Sequence, residues 1–232
     1  IASLRDKKKV ETSADVVGIV FPVYFGKAPN IVKDFVRRLA VKNDVYIFAL
    51  ATYGGSSGKA LKELKVILDS RGIELSAGFD IHMPQNAFYK SWENKNKLYI
   101  KSRRKVDSIA KKIGNRKKGV HHSDYLMRPI VFLVYGYFEK KSIEDLEKKS
   151  KVQSPSGLTV EELLPLVDRN YEIDENCDGC GICARVCPVN NIDIKEGRPE
   201  WQNHCENCLA CYNQCPKEAI HGGILSEDYH YI

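Results

Sequence analysis

The sequence predicts an α/β chain, with an open, doubly wound parallel sheet followed by a small α+β domain built around cysteines. Three observations carry this reading. Apolar β-type runs alternate with helical patterns through the first half of the 232 residues. All eight cysteines fall between residues 177 and 215, in two copies of one spacing. Charge divides at the same place: residues 171–232 hold four Lys/Arg against eleven Asp/Glu, a net of −7, and residues 1–170 carry +13. Opposite fields of this size steer docking rather than fold a chain, so the division marks two parts.

The elements follow in order. Asp15 to Tyr24, DVVGIVFPVY, is a near-continuous apolar run of the kind buried on both faces of a parallel sheet. After the loop FGKAPN, Ile31 to Leu39 has helical spacing, and Val45 to Ala51 is a second buried strand. The loop TYGGSSG leads to a helix over about Gly58–Ser70, with Leu61, Leu64, Ile67 and Leu68 on one face and Gly72 as its stop. A third strand spans Leu75–Ile81. The loop HMPQNAF then precedes a long helix over Trp92–Ile113, whose inner stripe reads Tyr99, Val106, Ile109, Ala110 and Ile113. In such a fold ligands lie beyond the carboxyl ends of the strands. Residues 119–170 read as a partly helical connection. Within it, Tyr125–Phe138 is apolar but broken by Arg128, Pro129 and Gly136, which favours a docking helix over a membrane anchor, and Thr159 with Glu162 makes a capping box. The expected division is therefore 1–118, 119–170 and 171–232.

The cysteine runs are CDGCGICARVCP, Cys177 to Pro188, and CENCLACYNQCP, Cys205 to Pro216. Both read C-x2-C-x2-C-x3-C-P, offset by 28 positions, an offset that Ile192 and Ile220 share. Thiolates are soft ligands suited to iron bound to sulfide. In this spacing the first three cysteines of a run hold one [4Fe–4S] cluster while the fourth crosses to the other. That assigns Cys177, Cys180, Cys183 and Cys215 to one cluster, and Cys205, Cys208, Cys211 and Cys187 to the second. Zinc sites and disulfides are the competing explanations; the duplicated run ending in Cys-Pro favours iron–sulfur. Ile173 and Trp201 occupy equivalent repeat positions, where apolar side chains shield clusters from water. Cysteines in metal-type spacing point to a reducing, cytoplasmic setting.

The runs VVGIVFPVYFGKAPNIVKDF and FALATYGGSSGKALKEL resemble the second and third cofactor loops of flavodoxins. Together with the cysteine runs they make the chain similar to the flavodoxin–ferredoxin fusion family over residues 10–113 and 171–221. The resemblance implies a flavodoxin-like sheet and an FMN held between Pro22, Val23, Tyr24, Phe25 and Gly26 on one loop and Thr52, Tyr53, Gly54, Gly55 and Ser56 on the next. Tyr24 or Tyr53 would stack on the flavin, and Gly54–Gly55 would let backbone approach its polar edge; the residues alone equally fit strand-end aromatics and a plain turn. One departure is plain. The family opens with a strand and a phosphate loop of the form S-G-T-G-N-S, whereas Ile1 to Ala14 contains no glycine. With Ile1 where an initiator Met would stand, the expectation is a first strand and phosphate loop that precede this sequence.

The expected function is electron transfer between one-electron clusters and an FMN that holds one or two electrons, with redox proteins as partners. A flavin-dependent reductase fed by its own clusters is the main rival, and an interaction module with structural clusters is a third. Residues 90–118 carry twelve Lys/Arg against Glu93 and Asp107. That stretch reads as a solvated helix face towards an acidic neighbour, not as a nucleic-acid site. No transmembrane segment is expected, His121 and His122 receive no role, and the oligomeric state stays open.

Overall fold

The computed structural model describes residues 1–84, 95–121 and 143–225. The described residues up to His121 form one compact unit and residues 143–225 another. Tyr125–Phe138, the start of the long helix at Trp92, most of the loop after His82, and His122 lie outside the described residues.

In the first unit the strands are β1 (Val10–Thr12), β2 (Val16–Pro22), β3 (Leu39–Val41), β4 (Tyr46–Tyr53), β5 (Ala77–His82) and β6 (Gly119–His121). The helices are α1 (Asn30–Arg38), α2 (Ala60–Asp69) and α3 (Lys95–Gly114). The sheet runs β2-β4-β5-β6, parallel throughout. β4 is central because YIFALATY offers apolar or small side chains to both faces. Ile47, Ala49 and Ala51 join Val32 and Val36 of α1 and Leu61, Leu64 and Leu68 of α2 in one core, while Tyr46 packs with Phe79, Ile81 and Ile109 of α3 in another. Helices therefore cover both faces.

Two expectations need correction. β2 is not buried on both faces: Ile19 and Phe21 are covered, but Val16 is 40% and Val20 57% exposed. It is an edge strand, and α3 packs against β5, too far along the sheet to shield it. The inner face of α3 is also different. Tyr99 and Val106 are exposed, Ala110 lies outside as well, and Leu98, Ser102, Lys105, Ile109 and Ile113 turn inward. Polar side chains belong there because this helix crosses the carboxyl end of β5, where Ser102 Oγ donates to His82 O at 2.6 Å. Ile1 to Ala14, which lacks the phosphate loop, contributes a strand instead. β1 pairs in parallel with β3, and the Arg38 guanidinium donates to the carbonyls of Leu4 and Arg5 at 3.0 and 2.7 Å.

The second unit holds α4 (residues 143–149), α5 (Val160–Leu163), a 3-10 turn over Leu164–Asn170, β7 (Tyr171–Ile173), α6 (Ile182–Val186), β8 (Ile192–Lys195), β9 (Arg198–Trp201), α7 (Ala210–Asn213) and β10 (Ile220–Gly222). The 28-residue repeat is visible as structure, since β7-α6-β8 is followed by β9-α7-β10 at the same offset. The halves interlock: β7 pairs antiparallel with β10, and β8 with β9. Glu196 and Gly197, both at positive φ, make the two-residue turn of the β8–β9 hairpin. Leu146, Leu163 and Val167 share a core with Tyr171, Ile192, Tyr212 and Ile220, so residues 143–170 are built into this unit. Thr159 and Glu162 form a reciprocal capping box at the start of α5. No described helix is long and apolar enough to cross a membrane.

Candidate functional site

The backbone of the two cysteine runs repeats down to its left-handed positions. Gly179, Gly181 and Asn190 have φ of 71°, 70° and 53°, and their partners 28 residues on, Asn207, Leu209 and Glu218, have 52°, 59° and 51°. At Gly179 the shape demands glycine, because a Cβ would lie 2.6 Å from Gly197 O. α6 and α7 each start at such a residue, Gly181 and Leu209, which curls the preceding loop around a cavity.

Two small cavities result. The first is lined by Cys177, Cys180 and Cys183 of one run and Cys215 of the other. The second is lined by Cys205, Cys208 and Cys211 with Cys187. Among the described residues no three metal-binding side chains converge closely enough for one ion. Backbone N–H groups already serve the sulfurs. Asn191 N donates to Cys187 Sγ at 3.2 Å, its repeat partner Ala219 N to Cys215 Sγ at 3.4 Å, and Asn207 N to Cys205 Sγ at 3.3 Å. Burial pushes the Cys205 and Cys208 thiols up and that of Cys211 to about 12; in the first cavity burial raises Cys183. Such thiols keep their protons until a metal displaces them.

Residues that the sequence did not single out brace the second cavity. Asp168 is buried, and its Oδ2 accepts from Asn191 Nδ2 at 2.7 Å and Asn203 N at 2.9 Å. Asn191 Oδ1 in turn accepts from His204 N at 2.8 Å. Cys205 N donates to Pro165 O at 3.2 Å, and Asn207 Nδ2 to Leu164 O at 2.7 Å. The 3-10 turn after α5 therefore holds the second cysteine loop in place. Tyr171 and Trp201 stack beside the same cavity, ring centroids 4.8 Å apart, and both line it. Ile173 and Trp201 do pack in the surrounding core.

In the first unit the loops after β2 and β4 lie side by side. Val23 N donates to Thr52 O and Lys59 N to Gly26 O, each at 2.7 Å. Pro22, Phe25, Gly55 and Ser56 are exposed, and Val23, Tyr24, Gly26, Thr52 and Gly54 are half-buried. Nothing lies within 4 Å of a Cβ built on Gly55, so that backbone is open to approach. Tyr53 differs from expectation: it is buried and stacked on His82, centroids 5.3 Å apart, because β5 ends directly beside it. The sequence also gave no sign of the polar cluster here. Asp80, 0% exposed, accepts from Ser57 Oγ at 2.8 Å and pairs with Lys105 Nζ at 3.0 Å. His82 Nε2 lies 2.7 Å from Gly54 O. Lys105, read as part of a solvated basic face, is instead the cation of a buried carboxylate. The rest of that face, Lys101, Arg103 and Arg104, is exposed.

Residues 169–216 match the family model of the 4Fe-4S dicluster domain. No curated protein and no solved structure matches the chain significantly. The cysteines from Cys177 to Cys215 thus belong to an iron–sulfur, ferredoxin-like domain of the 4Fe-4S type, with the electron-transfer role that such a domain implies.

Proposed function

We propose that the chain is an electron carrier with two [4Fe–4S] clusters, one in each cavity, ligated across the repeat. The observation that carries this is the lining of the cavities, three cysteines of one run with the fourth of the other in both cases. Bound clusters supply one-electron chemistry. The protein's part is to hold eight thiolates, point N–H groups of Asn191, Asn207 and Ala219 at sulfur, and keep apolar walls such as Ile194 and Leu209 against the sites. Anaerobically purified protein should contain about eight iron and eight sulfide per chain and give a low-temperature paramagnetic signal on reduction. Stoichiometric zinc and no signal would overturn the reading.

The finer part of the reading concerns the first unit, taken as a flavodoxin-like domain whose loops at Pro22–Gly26 and Thr52–Ser56 hold FMN. Its support is the pairing of those loops at the carboxyl ends of parallel strands, with Gly55 open and Tyr24 half-exposed. With Tyr53 stacked on His82, this reading assigns the flavin contact to Tyr24. A reductase built on the same parts needs a proton donor near the flavin, and the Asp80–Lys105 pair and His82 are what this unit offers. Titration of the protein into FMN, followed by flavin fluorescence, tests the site. Quenching that Tyr24→Ala weakens is the expected result, and unchanged fluorescence at micromolar protein refutes it.

A further inference from the structure

We propose that Tyr171 and Trp201 are hydrogen-bond donors to the cluster held by Cys187, Cys205, Cys208 and Cys211, and that they raise its reduction potential. This rests on the two-cluster reading above. The phenol oxygen of Tyr171 and the indole Nε1 of Trp201 are both shut off from solvent; the hydroxyl has no protein acceptor, and the indole N–H has none besides the Cys211 sulfur. Tyr171 as a whole is 9% exposed. Buried donors without partners are rare and call for a missing acceptor. These two belong to stacked rings that line one cavity together with four cysteines, Glu206 and Asn191, whose side chain is already committed to Asp168 and His204 N. Trp201 stands as a hydrogen-bond donor to Cys211, and the Tyr171 hydroxyl lies within electrostatic reach of the Cys211, Cys205 and Cys208 sulfurs. An electron-rich sulfur cage is the acceptor that would satisfy both.

The repeat supplies a control within the same chain. Shifting by 28 residues carries Tyr171 onto Pro199 and Trp201 back onto Ile173. Pro199 lines the first cavity, and neither Pro nor Ile has a side-chain donor. The two cavities are alike in cysteines and backbone but differ in this pair. Reduction adds one electron and makes the cage more negative; a donor to sulfur favours that state, and no proton need move. Each donor therefore raises the potential of the second cluster alone.

The test is a redox titration of the loaded full chain with dithionite, monitored by electron paramagnetic resonance, for the wild type, Tyr171→Phe and Trp201→Phe. Both substitutions keep an aromatic ring and remove one donor. Iron near eight with two reduction steps establishes the two-cluster reading, while iron near four or one step would defeat that reading and not merely the inference. Given two steps, each variant should shift one of them downward. At a fixed potential the reduced-to-oxidised ratio falls by up to roughly tenfold, about 59 mV for a one-electron couple. The other step stays in place. If neither step moves, or both move equally, the assignment is wrong. Should a variant fail to take up iron, the wild type with 15N-labelled indole still decides. Nitrogen coupling from a tryptophan in the reduced-cluster spectrum supports the proposal, and its absence overturns it.

Discussion

Replacing Asp168 with Ala is the sharpest test of how the second cavity is held. Its Oδ2 accepts from Asn191 Nδ2 and Asn203 N at 2.7 and 2.9 Å, inside a region where Asn191 is 1% exposed. Removing the acceptor strands two donors, which costs about 1–3 kcal/mol each. Against that, the buried carboxyl is itself uncomfortable: Oδ1 has no partner, and burial lifts its pKa above the usual 3.8. Relief of that penalty offsets about 1–2 kcal/mol, so the net loss falls between about 0 and 5 kcal/mol and centres near about 2.5 kcal/mol. Asn191 also positions Cys187 and His204, so the loss falls on one cluster. Anaerobic guanidinium denaturation followed at the visible cluster absorbance reads it directly. The expected result is an earlier midpoint, with about half of the absorbance lost first. Asp168→Asn keeps a carbonyl to accept both bonds and should cost about 1 kcal/mol or less. The sign of the pH effect also follows. A carboxyl whose pKa is raised on folding stabilises the fold most below 3.8, and that contribution falls as pH rises through the raised value. The Asn variant should therefore gain on the wild type across that window. An Ala variant with full iron and an unchanged midpoint would refute the bracing argument.

Substitutions at the cysteines, Gly179 and Lys105 have equally definite outcomes. Cys187→Ala should empty the cavity of the second run and Cys215→Ala that of the first, each leaving about four iron; loss of the cluster belonging to the mutated run instead would show uncrossed ligation. Gly179→Ala places a methyl 2.6 Å from Gly197 O at a φ of 71°, so iron assays should show the first cluster depleted and the second intact. Lys105→Met takes the cation from the fully buried Asp80. Thermal unfolding should show the first unit destabilised by about 2–3 kcal/mol, with cluster content unaltered.

What was legible in the sequence, and what was not, divides along physical lines. Periodicity located α1, α2, β4 and β5 because each buries a continuous stripe, and the capping box at Thr159 is a local pattern that needs no tertiary knowledge. Position within the sheet was not legible. DVVGIVFPVY has the composition of a doubly covered strand, yet Val16 and Val20 face outward because neighbours, not residues, decide who covers an edge. The inner face of α3 was misread for a related reason. Ser102 and Lys105 turn inward to meet His82 O and Asp80, partners brought there by β5, and hydropathy cannot see a polar residue that is satisfied in the interior. The spacing of the cysteines suggests a crossed grouping of the sulfurs, which the Cys187 and Cys215 variants test. It was silent on Asp168 and on the carbonyls of Leu164 and Pro165, which reach the site from a segment with no motif. A lone Asp between Val167 and Arg169 carries no signal until Asn191 stands opposite it.

Crossed lining has a consequence for how the second unit forms. Each cavity draws three cysteines from one half of the repeat and one from the other, and the strands cross in the same sense, β7 with β10 and β8 with β9. Neither half contains a complete site or a complete strand pair of the outer kind, so neither can load metal alone. Before iron arrives, burial holds Cys205, Cys208 and Cys211 protonated, and the apolar core around Leu163, Val167 and Ile220 must bring the halves together. Metal then replaces protons and its binding energy adds to folding energy. The segment before Tyr171 gains its importance here. By tying Asn207 and Cys205 to Leu164 and Pro165, it shapes the second loop through contacts that require no cluster. The first loop has protein contacts of its own, with Arg185 Nη1 donating to Cys180 O at 2.9 Å and Cys180 N to Asp178 Oδ1 at 3.1 Å, but these come from within its own run.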